Sequence, residues 1–441
     1  MLLNVGIDDT DSPRGGCTTF IASVLSEILD RRGHVKFLDY PNLIRLNPNV
    51  PFKTRGNGAV ALRLWVDDGL VEDVVELITK VVYDLSESSH GKSDPTIAFQ
   101  VGEVGEGLKV LYRRALREVV TKTLAFKVAE REGVTLKFIK RGRGIVGAMA
   151  AIGGTPLDDY TFELIAYRDE RERGPHRHVD PRSVMEMDRR LRPMVYANLD
   201  YGSGRILITP HGPDPVLYGI RGEHPLVLLR AMEMVEVKEP IARWTIFRTN
   251  QGTNAHLHGP CSNQLRPYDS VRVRGVVSSN PEIRRGGHVF FKLSFKGGEI
   301  ACVAYKETGK LTRVARLLKE GDLVEVAGGM RPPSSTHGPS LNLEQLRLIK
   351  VEALRILRAP RCPKCGSSMK SMGRGKGYRC PKCGLKDPSL SRLEERLPPL
   401  LEPGLYMASP KAYRHLTKPE VRLGVPPKGE VTYLFKPWHY P

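Results

Sequence analysis

The first 135 residues alternate between short apolar runs and longer amphipathic stretches. Leu2, Leu3, Val5 and Ile7 lie almost side by side, a pattern that predicts a buried strand. Apolar residues across positions 20–29 recur instead with helical spacing. Strand-like and helix-like segments go on alternating downstream. There we expect strands at 35–38, 59–66 and 97–101 and helices at 67–85 and 108–132. This alternation predicts an α/β domain that ends near residue 135.

Residues 136–236 show a second pattern of the same kind. It predicts strands at 135–139, 160–167, 205–209 and 216–218, and helices at 181–195 and 225–234. A segment of small residues at 145–152 predicts a further, closely packed helix. Two helices between neighbouring strands are typical of a ferredoxin-like sandwich.

The pattern becomes rich in strands over residues 237–356, with one helix expected at 307–318. Four strands, a helix and more strands are the order of an OB-fold, a five-stranded barrel. Basic residues alternate here with aromatic ones: Arg266, Arg272, Arg274, Arg284, Arg285 and Lys292 with Tyr268, Phe290 and Phe291. Such a mixture suits single-stranded nucleic acid. For individual positions the alternative is a core aromatic beside exposed arginines.

Two identical Cys-Pro-Lys-Cys-Gly knuckles follow in residues 357–386. Their cysteines, Cys362, Cys365, Cys380 and Cys383, have the spacing of a tetrahedral structural zinc site. The unit is too small for a sizeable core, so we expect Zn²⁺ to supply its folding energy. The proline-rich tail, residues 387–441, fits either an extended nucleic-acid arm or a segment packed over the domains.

Composition narrows the possible partners and the cell compartment. The chain of 441 residues has 68 Lys plus Arg against 49 Asp plus Glu, a formal charge of +19. This excess favours a nucleic-acid partner, although a generally basic proteome would produce it too. No run of 18 apolar residues occurs, so we expect no membrane span. The chain starts on a strand without a basic leader, and its paired cysteines suit metal, so we expect a reducing cytoplasm.

The richest chemistry lies directly after the first strand. Three carboxylates, Asp8, Asp9 and Asp11, precede a turn with Gly15 and Gly16, and Thr18 and Thr19 open the next helix. Carboxylates at a strand end suit Mg²⁺, and a glycine loop before a helix suits phosphate. Turn and capping chemistry is the alternative, but a cap needs one carboxylate and not three.

Two other segments carry candidate binding groups. The loop at 40–58 presents Lys53 and Arg55 between prolines, asparagines and glycines, which suits an ATP polyphosphate once the acidic motif lies nearby. Asp200, beside Tyr201, is a candidate partner for a small cation. An ordinary turn aspartate is an equally good interpretation of Asp200.

Five stretches together resemble one known family. They are Gly6–Ser12 (GIDDTDS) with Cys17, Thr18 and Thr19, Ile44–Pro48 (IRLNP), Pro51–Gly58 (PFKTRGNG), Arg248–Thr253 (RTNQGT) and the cysteine knuckles. In this order they are similar to TiaS, the archaeal tRNA(Ile) 2-agmatinylcytidine synthetases. The resemblance extends over nearly the whole chain and is weakest in the tail. It implies a Thr-Cys kinase-like domain, a ferredoxin-like domain, an OB-fold and a zinc ribbon, in agreement with the patterns above.

The resemblance also implies an activity. Members of this family use ATP to join agmatine to C2 of the wobble cytidine in the CAU anticodon of an isoleucine tRNA, so that AUA is decoded. A 2-oxo group leaves poorly, so ATP first phosphorylates it and the agmatine amine then displaces the phosphate.

The implied roles fall on specific residues. Asp8, Asp9 and Asp11 would hold Mg²⁺, and Lys53 and Arg55 would offset developing charge. Thr18 would accept a phosphoryl group. Agmatine would be anchored by Asp200 or, as second choice, Asp169. ATP phosphates would contact a larger set: Gly15, Gly16, Cys17, Thr18, Thr19, Gly56, Asn57 and Gly58. We expect both small-molecule sites to lie upstream of residue 236.

Two rival hypotheses remain from the sequence. A non-catalytic single-stranded nucleic-acid-binding protein would explain the charge and the C-terminal half, but it leaves the acidic motif unexplained. A different ATP-dependent RNA enzyme on the same modules is the second. Dependence of ATP turnover on tRNA would distinguish an enzyme of this family from the first rival. Dependence on agmatine would distinguish it from the second.

Overall fold

The computed structural model describes residues 1–53, 56–87, 93–169, 176–257, 259, 261–334, 338–429 and 434–441. Within them, the N-terminal part has strands β1 (Leu2–Asp8), β2 (Val35–Phe37), β3 (Asn42–Arg45), β4 (Gly58–Val66), β5 (Thr96–Val101), β6 (Thr135–Phe138), β7 (Thr161–Arg168), β8 (Leu199–Asp200), β9 (Arg205–Ile206), β10 (Val216–Gly222) and β11 (Ile241–Thr249). Its helices are α1 (Thr18–Asp30), α2 (Val71–Leu85), α3 (Glu106–Ala115), α4 (Lys122–Glu132), α5 (Ile145–Gly153), α6 (Pro181–Leu191) and α7 (Pro225–Met234).

The C-terminal part consists mainly of strands. They are β12 (Ser270–Val277), β13 (Glu282–Ile283), β14 (Val289–Phe295), β15 (Gly298–Ala304), β16 (Leu323–Arg331), β17 (Ser340–Lys350), β18 (Leu354–Arg358), β19 (Lys370–Ser371), β20 (Tyr378–Arg379), β21 (Lys386–Asp387), β22 (Leu393–Leu397), β23 (Gly404–Met407) and β24 (His439–Tyr440). One helix, α8 (Lys310–Ala315), accompanies them in the described residues.

The two expected N-terminal units share one ten-stranded sheet. Its order is β10-β7-β11-β3-β4-β1-β5-β6, with β2 on β4 and β24 on β11. Parallel pairing of β11 with β3, Arg248 opposite Asn42, joins the two halves. A single apolar core extends across this junction from Leu3 to Trp438.

Two expectations about these elements are wrong. The sequence places residues 241–248 in the OB-fold, whereas the structure places them in β11, an interior strand paired with β7 and β3. The single helix expected over 108–132 is two helices, α3 and α4. A turn separates them, and the Thr121 hydroxyl accepts a hydrogen bond from the Leu124 backbone N–H at 3.3 Å. Thr121 thereby caps a new helix.

The small-residue segment forms the closely packed helix that its composition predicts. All of α5 except Val146 is buried, and it packs on β1, β4 and β5 as well as α3. A Cβ on Gly6 would lie 1.9 Å from the Ala148 carbonyl oxygen, so glycine is required for this approach. A helix from the second expected unit therefore completes the core of the first.

The C-terminal half contains the expected barrel. β12, β14, β15, β17 and β16 pair in a closed five-stranded circuit, with β23 added to β17. The barrel has its own apolar core, and Phe291 lies inside it, as the core interpretation of this aromatic requires. Phe290 instead lies half-exposed with the Arg284 guanidinium 4.0 Å from its ring centroid.

The cysteine unit is arranged for metal. All four Sγ atoms of Cys362, Cys365, Cys380 and Cys383 lie within 4.8 Å of one another. The unit has only a small apolar cluster, built on Met369 and Tyr378 beside the cysteines. None of the described helices has the length and apolar character needed to cross a bilayer.

The tail packs over the domains, which selects one of its two expected interpretations. Trp438 is fully buried against Phe37 and Tyr40, with ring centroids 5.0 and 6.3 Å apart. The buried Arg422 guanidinium binds Asp159, Glu223 and the Gly252 carbonyl. The tail therefore closes the large sheet on one side and contacts the barrel through β23 on the other.

Replacing Cys380 by Ser should release zinc and unfold residues 360–386 locally, because metal binding supplies the folding energy of this unit. Metal analysis should fall from about one Zn²⁺ per chain to none, while thermal unfolding of the large sheet is unchanged. Cys261→Ser is the matched control, since Cys261 lies outside the cluster. Retention of one equivalent of zinc by the Cys380 variant would contradict the four-cysteine site.

Trp438→Ala should lower the free energy of unfolding by about 3–5 kcal/mol, because it empties a large buried volume in the shared core. Urea unfolding followed by far-UV circular dichroism measures the loss. Tyr440→Ala is the control from the same end of the chain, because Tyr440 is 58% exposed. Equal stability of both variants would mean that the tail does not contribute to the core.

Candidate active site

The acidic motif forms a sharp turn at the end of β1. Asp8 ends the strand, and Asp9 takes a φ of +60°, a left-handed conformation that is costly for a non-glycine residue. The Asp9 carbonyl accepts hydrogen bonds from the Asp94 backbone N–H at 3.2 Å and the Ser93 hydroxyl at 3.1 Å. The turn is thus held by the segment before β5, and it directs successive carboxylates into the same region.

Arg143 fixes the second carboxylate. Its Nε and Nη2 atoms donate to the two oxygens of Asp9 at 2.6 and 2.5 Å, the bidentate geometry of a strong ion pair. Asp94 fixes Arg143 in turn by accepting the backbone N–H groups of Lys140, Arg141 and Arg143 at 2.9–3.0 Å. These three hydrogen bonds lower the pKa of Asp94 despite its partial burial.

Helix α5 begins directly on the carboxylates. A Cβ on Gly147 would lie 1.9 Å from Asp8 Oδ2, so only glycine admits the Asp8 side chain here. Burial, with the Asp9 charge beside it, raises the pKa of Asp8 well above its usual value. Burial also raises the pKa of Asp9 to about 6, although Arg143 opposes the shift. Two crowded, buried carboxylates at a helix N-terminus favour a bound cation.

A cavity of about 730 Å³ opens beside this acidic turn. Its walls come from the 46–58 loop, the end of α3, the turn before α4 and the start of α5. They include Asp8, Asp9, Asp11, Phe52, Lys53, Asn57, Val119, Lys122 and Arg143. Lys53 Nζ donates to the carbonyls of Pro48 and Val50 at 2.6 and 3.1 Å. Burial and the nearby Arg414 and Arg331 charges lower the pKa of Lys53. An apolar wall, a basic group and carboxylates thus meet in one space.

The glycine turn, residues 12–16, connects the acidic turn to helix α1. Ser12 and Gly15 exchange two backbone hydrogen bonds, at 2.8 and 3.2 Å, so the Gly15 N–H is already used. Gly16 has a φ of +77°, and a Cβ there would lie 3.0 Å from the Thr10 carbonyl oxygen. Neither glycine lines this cavity or a second, smaller one next to it, whereas Gly56 and Gly58 line both.

A second cavity, of about 330 Å³, shares a wall with the first through Asp11, Gly56 and Gly58. Helix α1 contributes its N-terminus, where the Thr18 hydroxyl lies 2.9 Å from that of Thr10. Strands β3, β7 and β10 and the loop before β10 form the rest. The lining includes Cys17, Thr18, Thr19, Arg45, Glu163, Asp214, Arg221 and His415.

Glu163 organises this smaller cavity. It is buried, its Oε1 accepts from Arg221 Nε at 3.3 Å, and its Oε2 lies 3.9 Å from Arg45 Nη2. Gln251 donates its side-chain N–H to the same Oε2. Asp214 lines the cavity separately, bound to Arg177 at 3.4 Å and to the Val216 backbone N–H at 3.2 Å.

Four of the predicted residues that the structure describes line neither cavity: Asp200, Asp169 and the two glycines above, Gly15 and Gly16. Asp200 is buried on β8, where its carboxylate accepts the Ser203 hydroxyl, and Asp169 follows β7, partly buried. Arg55 lies outside the described residues. The remaining predicted residues of the acidic turn, the helix start and the 53–58 loop lie together.

Sequence reasoning missed Arg143, Glu163, Asp214 and His415. Arg143 alone carried a signal, since it stands between two glycines directly before a helix of small residues. The other three acquire their roles only through long-range packing.

A third cleft, of about 860 Å³, connects the barrel with the 48–53 loop. Three tyrosines line it, Tyr268, Tyr305 and Tyr413, and so do the basic residues Arg331, Lys411 and Arg414. Pro51 lines both this cleft and the 730 Å³ cavity beside the acidic turn. Single-stranded nucleic acids bind to such surfaces, because their bases stack on the aromatic rings and the basic groups contact their phosphates.

Family models match four parts of the chain. A TiaS TCKD domain matches residues 4–70, a TiaS FLD domain residues 142–256, an OB-fold nucleic acid binding domain residues 271–349, and a TiaS C-terminal zinc ribbon domain residues 359–398. These assignments agree with the sheet, the barrel and the four-cysteine unit.

Relatives are similar along their full length. The isoleucine tRNA 2-agmatinylcytidine synthetase TiaS of Thermofilum pendens is 47% identical, with 96% of each chain covered. That of Pyrococcus horikoshii is 43% identical over 98% of this chain and 99% of its own. A crystal structure of TiaS in complex with its isoleucine tRNA and ATP superposes with a TM-score of 0.87 at 38% identity, covering 98% of this chain and 99% of the other.

A crystal structure of TiaS with the same tRNA, AMPCPP and agmatine gives a TM-score of 0.84 at 36% identity, covering 98% and 99% of the two chains. Similarity of this extent leaves no part of the architecture unmatched, and the barrel and ribbon are accounted for together with the acidic turn. The chain belongs to the TiaS family of isoleucine tRNA 2-agmatinylcytidine synthetases.

Proposed function

We propose that this chain uses ATP to join agmatine to C2 of the wobble cytidine of an isoleucine tRNA with a CAU anticodon, with ATP in the larger cavity and agmatine in the smaller. The observation that carries this assignment is the wall that the two cavities share at Asp11, Gly56 and Gly58. The reaction needs a phosphoryl donor and an amine to reach the same carbon–oxygen group. Two separate cavities that meet at one wall provide this arrangement.

The larger cavity suits a nucleotide. Phe52 and Val119 supply apolar surface for a base, and Lys53 and Lys122 supply charge for phosphates. Phosphoryl transfer depends on positioning and charge neutralisation, and the two lysines can supply both at the edge of this cavity. Arg55, Gly56, Asn57 and Gly58 belong to the same proposed phosphate-binding loop, of which the last three line the cavity.

The acidic turn fits Mg²⁺. Of the described residues, the four cysteines are the set whose donor atoms converge, so Asp8, Asp9 and Asp11 do not make a three-carboxylate cage by themselves. Mg²⁺ commonly takes one or two carboxylates together with substrate phosphates, which this looser set allows. The ion would neutralise charge on the phosphates, while Arg143 holds Asp9 in place.

The smaller cavity suits agmatine, a molecule with an amine at one end and a guanidinium at the other. Asp11 stands at the shared wall, where the amine must react, and Asp214 lines the same cavity. We assign the guanidinium to Asp214, because Asp200 and Asp169 do not line this space and Glu163 is bound by two arginines, Arg45 and Arg221. Asp214 binds one, Arg177, at 3.4 Å, so the guanidinium of agmatine would share this carboxylate with Arg177 or displace it.

Thr18 remains the proposed phosphoryl acceptor of the family, since its hydroxyl lies in the smaller cavity near the shared wall. Cys17 and Thr19 flank it, and the N-terminus of α1 adds a favourable dipole for an anion. The glycine turn of Gly15 and Gly16 positions this helix start.

The barrel and zinc ribbon are proposed to grip the tRNA outside the reacting base. The tyrosine-lined cleft adjoins the 48–53 loop, so single-stranded nucleotides next to the target base can occupy it. We keep the division 1–135, 136–236, 237–356, 357–386 and 387–441 as a functional one, although β11 and the tail complete the large sheet. A tRNA substrate and thiolate-bound zinc are our reasons for proposing that the protein works in the cytoplasm.

The non-catalytic alternative is not favoured. A protein that only binds nucleic acid has no use for the buried acidic turn or for two cavities with a common wall.

Wild-type protein given ATP, agmatine and the CAU-anticodon isoleucine tRNA should form 2-agmatinylcytidine at the wobble position, detected by mass spectrometry of the nucleoside. Asp9→Asn should reduce this product below detection, because the bidentate Arg143 pair and a metal-binding carboxylate are lost together. The affinity of the variant for tRNA should be unchanged. Asp68→Asn is the control, since the Asp68 side chain is 80% exposed. Product formation by Asp9→Asn at the wild-type rate would remove the acidic turn from the mechanism.

Asp214→Asn should raise the KM for agmatine about 10- to 100-fold, because one charge-assisted pair with the guanidinium is lost. The KM for ATP should stay the same. Asp200→Asn tests the sequence-based candidate under identical conditions and should leave the KM for agmatine unchanged. The opposite ranking of the two variants would return the guanidinium to Asp200.

A further inference from the structure

The tail delivers a histidine to the smaller cavity. The His415 carbonyl accepts the Gly252 backbone N–H at 2.9 Å, and the Leu416 carbonyl accepts that of Asn254 at 2.7 Å. These backbone hydrogen bonds fix the segment on the loop after β11, independently of the imidazole. His415 is therefore held at the cavity by a part of the chain that the roles proposed so far do not use.

The hydrogen bonds around His415 determine its tautomer. Glu163 accepts from Arg221, and Gln251 donates its side-chain N–H to the same carboxylate. The Gln251 side-chain oxygen therefore faces His415, 3.2 Å from Nδ1. An amide oxygen can only accept, so Nδ1 carries the proton and Nε2 carries a lone pair.

The lone pair lies where the two cavities meet. A Cβ placed on Gly56 would come within 3.1 Å of His415 Nε2, so this edge of the ring faces Gly56. Gly56 lines both cavities. A hydrogen-bond acceptor is thus present at the place where the agmatine amine must meet the activated base.

Charge around the ring keeps it neutral. The charged groups that act on it are Arg45 from β3 and Arg221 from β10, and Glu163 from β7 pairs with both of these arginines. The Arg45 charge first, and then the Arg221 charge, lower the pKa of His415 below its usual value, although the side chain is exposed to solvent at the cavity. The neutral imidazole, with its lone pair on Nε2, is therefore favoured at neutral pH. The same two guanidiniums also favour the neutral form of a bound amine.

We propose that His415 Nε2 accepts the proton that the primary amine of agmatine releases as its nitrogen bonds to C2 of the wobble cytidine. The nitrogen lone pair forms the C–N bond, and the bond between C2 and the phosphorylated oxygen breaks, with its electron pair leaving on phosphate. The nitrogen then carries a positive charge, and one of its protons passes to Nε2. This inference rests on the proposed function.

His415→Ala should lower kcat for 2-agmatinylcytidine formation about 10²- to 10⁴-fold, the usual contribution of a positioned base. The KM values for agmatine and ATP and the affinity for tRNA should change little. Added imidazole should restore part of the rate, and the restored rate should increase with pH as more of the added imidazole becomes neutral. His439→Ala is the matched control, because His439 lies in the same tail but lines neither cavity.

His415→Gln guards against a loss caused by misfolding. Glutamine fills much of the same space but cannot take up a proton, so kcat should fall while the unfolding temperature is kept. ¹⁵N NMR of histidine-labelled wild-type protein, assigned with the Gln variant, should show the proton of His415 on Nδ1. Wild-type kcat in both variants, failure of imidazole to restore any rate, or a proton on Nε2 would each overturn the inference. A wild-type protein that forms no product would instead overturn the proposed function.

Discussion

The buried carboxylate of Glu163 is the constraint on which the smaller cavity depends. A carboxylate withdrawn from water costs several kcal/mol unless hydrogen bonds and opposite charge compensate it. Here compensation comes from three separate places in the chain: Arg45 on β3, Arg221 on β10 and Gln251 after β11. These donors meet only when the ten-stranded sheet has formed across the β3–β11 junction. Formation of the sheet and assembly of the cavity are therefore one event, and the sheet cannot be divided into two independent domains without exposing the site.

The tail also depends on long-range contacts with the large sheet. Its backbone joins the loop after β11, its Arg422 neutralises Asp159 and Glu223, and its Trp438 fills the core between Phe37 and Tyr40. The expectation that both small-molecule sites lie upstream of residue 236 stays a prediction, and the structure adds that the lining of the smaller cavity includes a residue from the tail. His415 lines the smaller cavity, and Gln251 binds the lining residue Glu163 from behind it. A truncation at residue 236 would remove an interior strand together with the wall of the cavity.

The parts that were predictable are those in which neighbouring residues carry the chemistry. The acidic turn, the start of α1, the 53–58 loop and the cysteine spacing are local, and the structure brings the described members of the first three together. Glu163 and Asp214 were not predictable, because their partners lie tens of residues away along the chain. Asp200 shows the converse. Its setting beside Tyr201 and glycines suited a binding site, but the same pattern makes a turn, and the Asp200 carboxylate binds Ser203 three residues away. Strand β11 was assigned to the barrel because a strand pattern does not reveal its pairing partner.

The common wall of the two cavities also limits how charge can be distributed between them. The smaller cavity holds two guanidiniums, Arg45 and Arg221, yet it is proposed to receive a cationic substrate. Glu163 offsets the guanidiniums, and Asp214, which pairs with Arg177, is the carboxylate proposed for the guanidinium of agmatine. At the amine end the requirement is opposite, since a nucleophile must be neutral to react. The proximity of Arg45 there opposes protonation of the imidazole, and it opposes protonation of an amine for the same electrostatic reason. The proposed function thus needs a carboxylate for the guanidinium of agmatine and basic groups near its amine, and the wall of the smaller cavity contains both kinds of group.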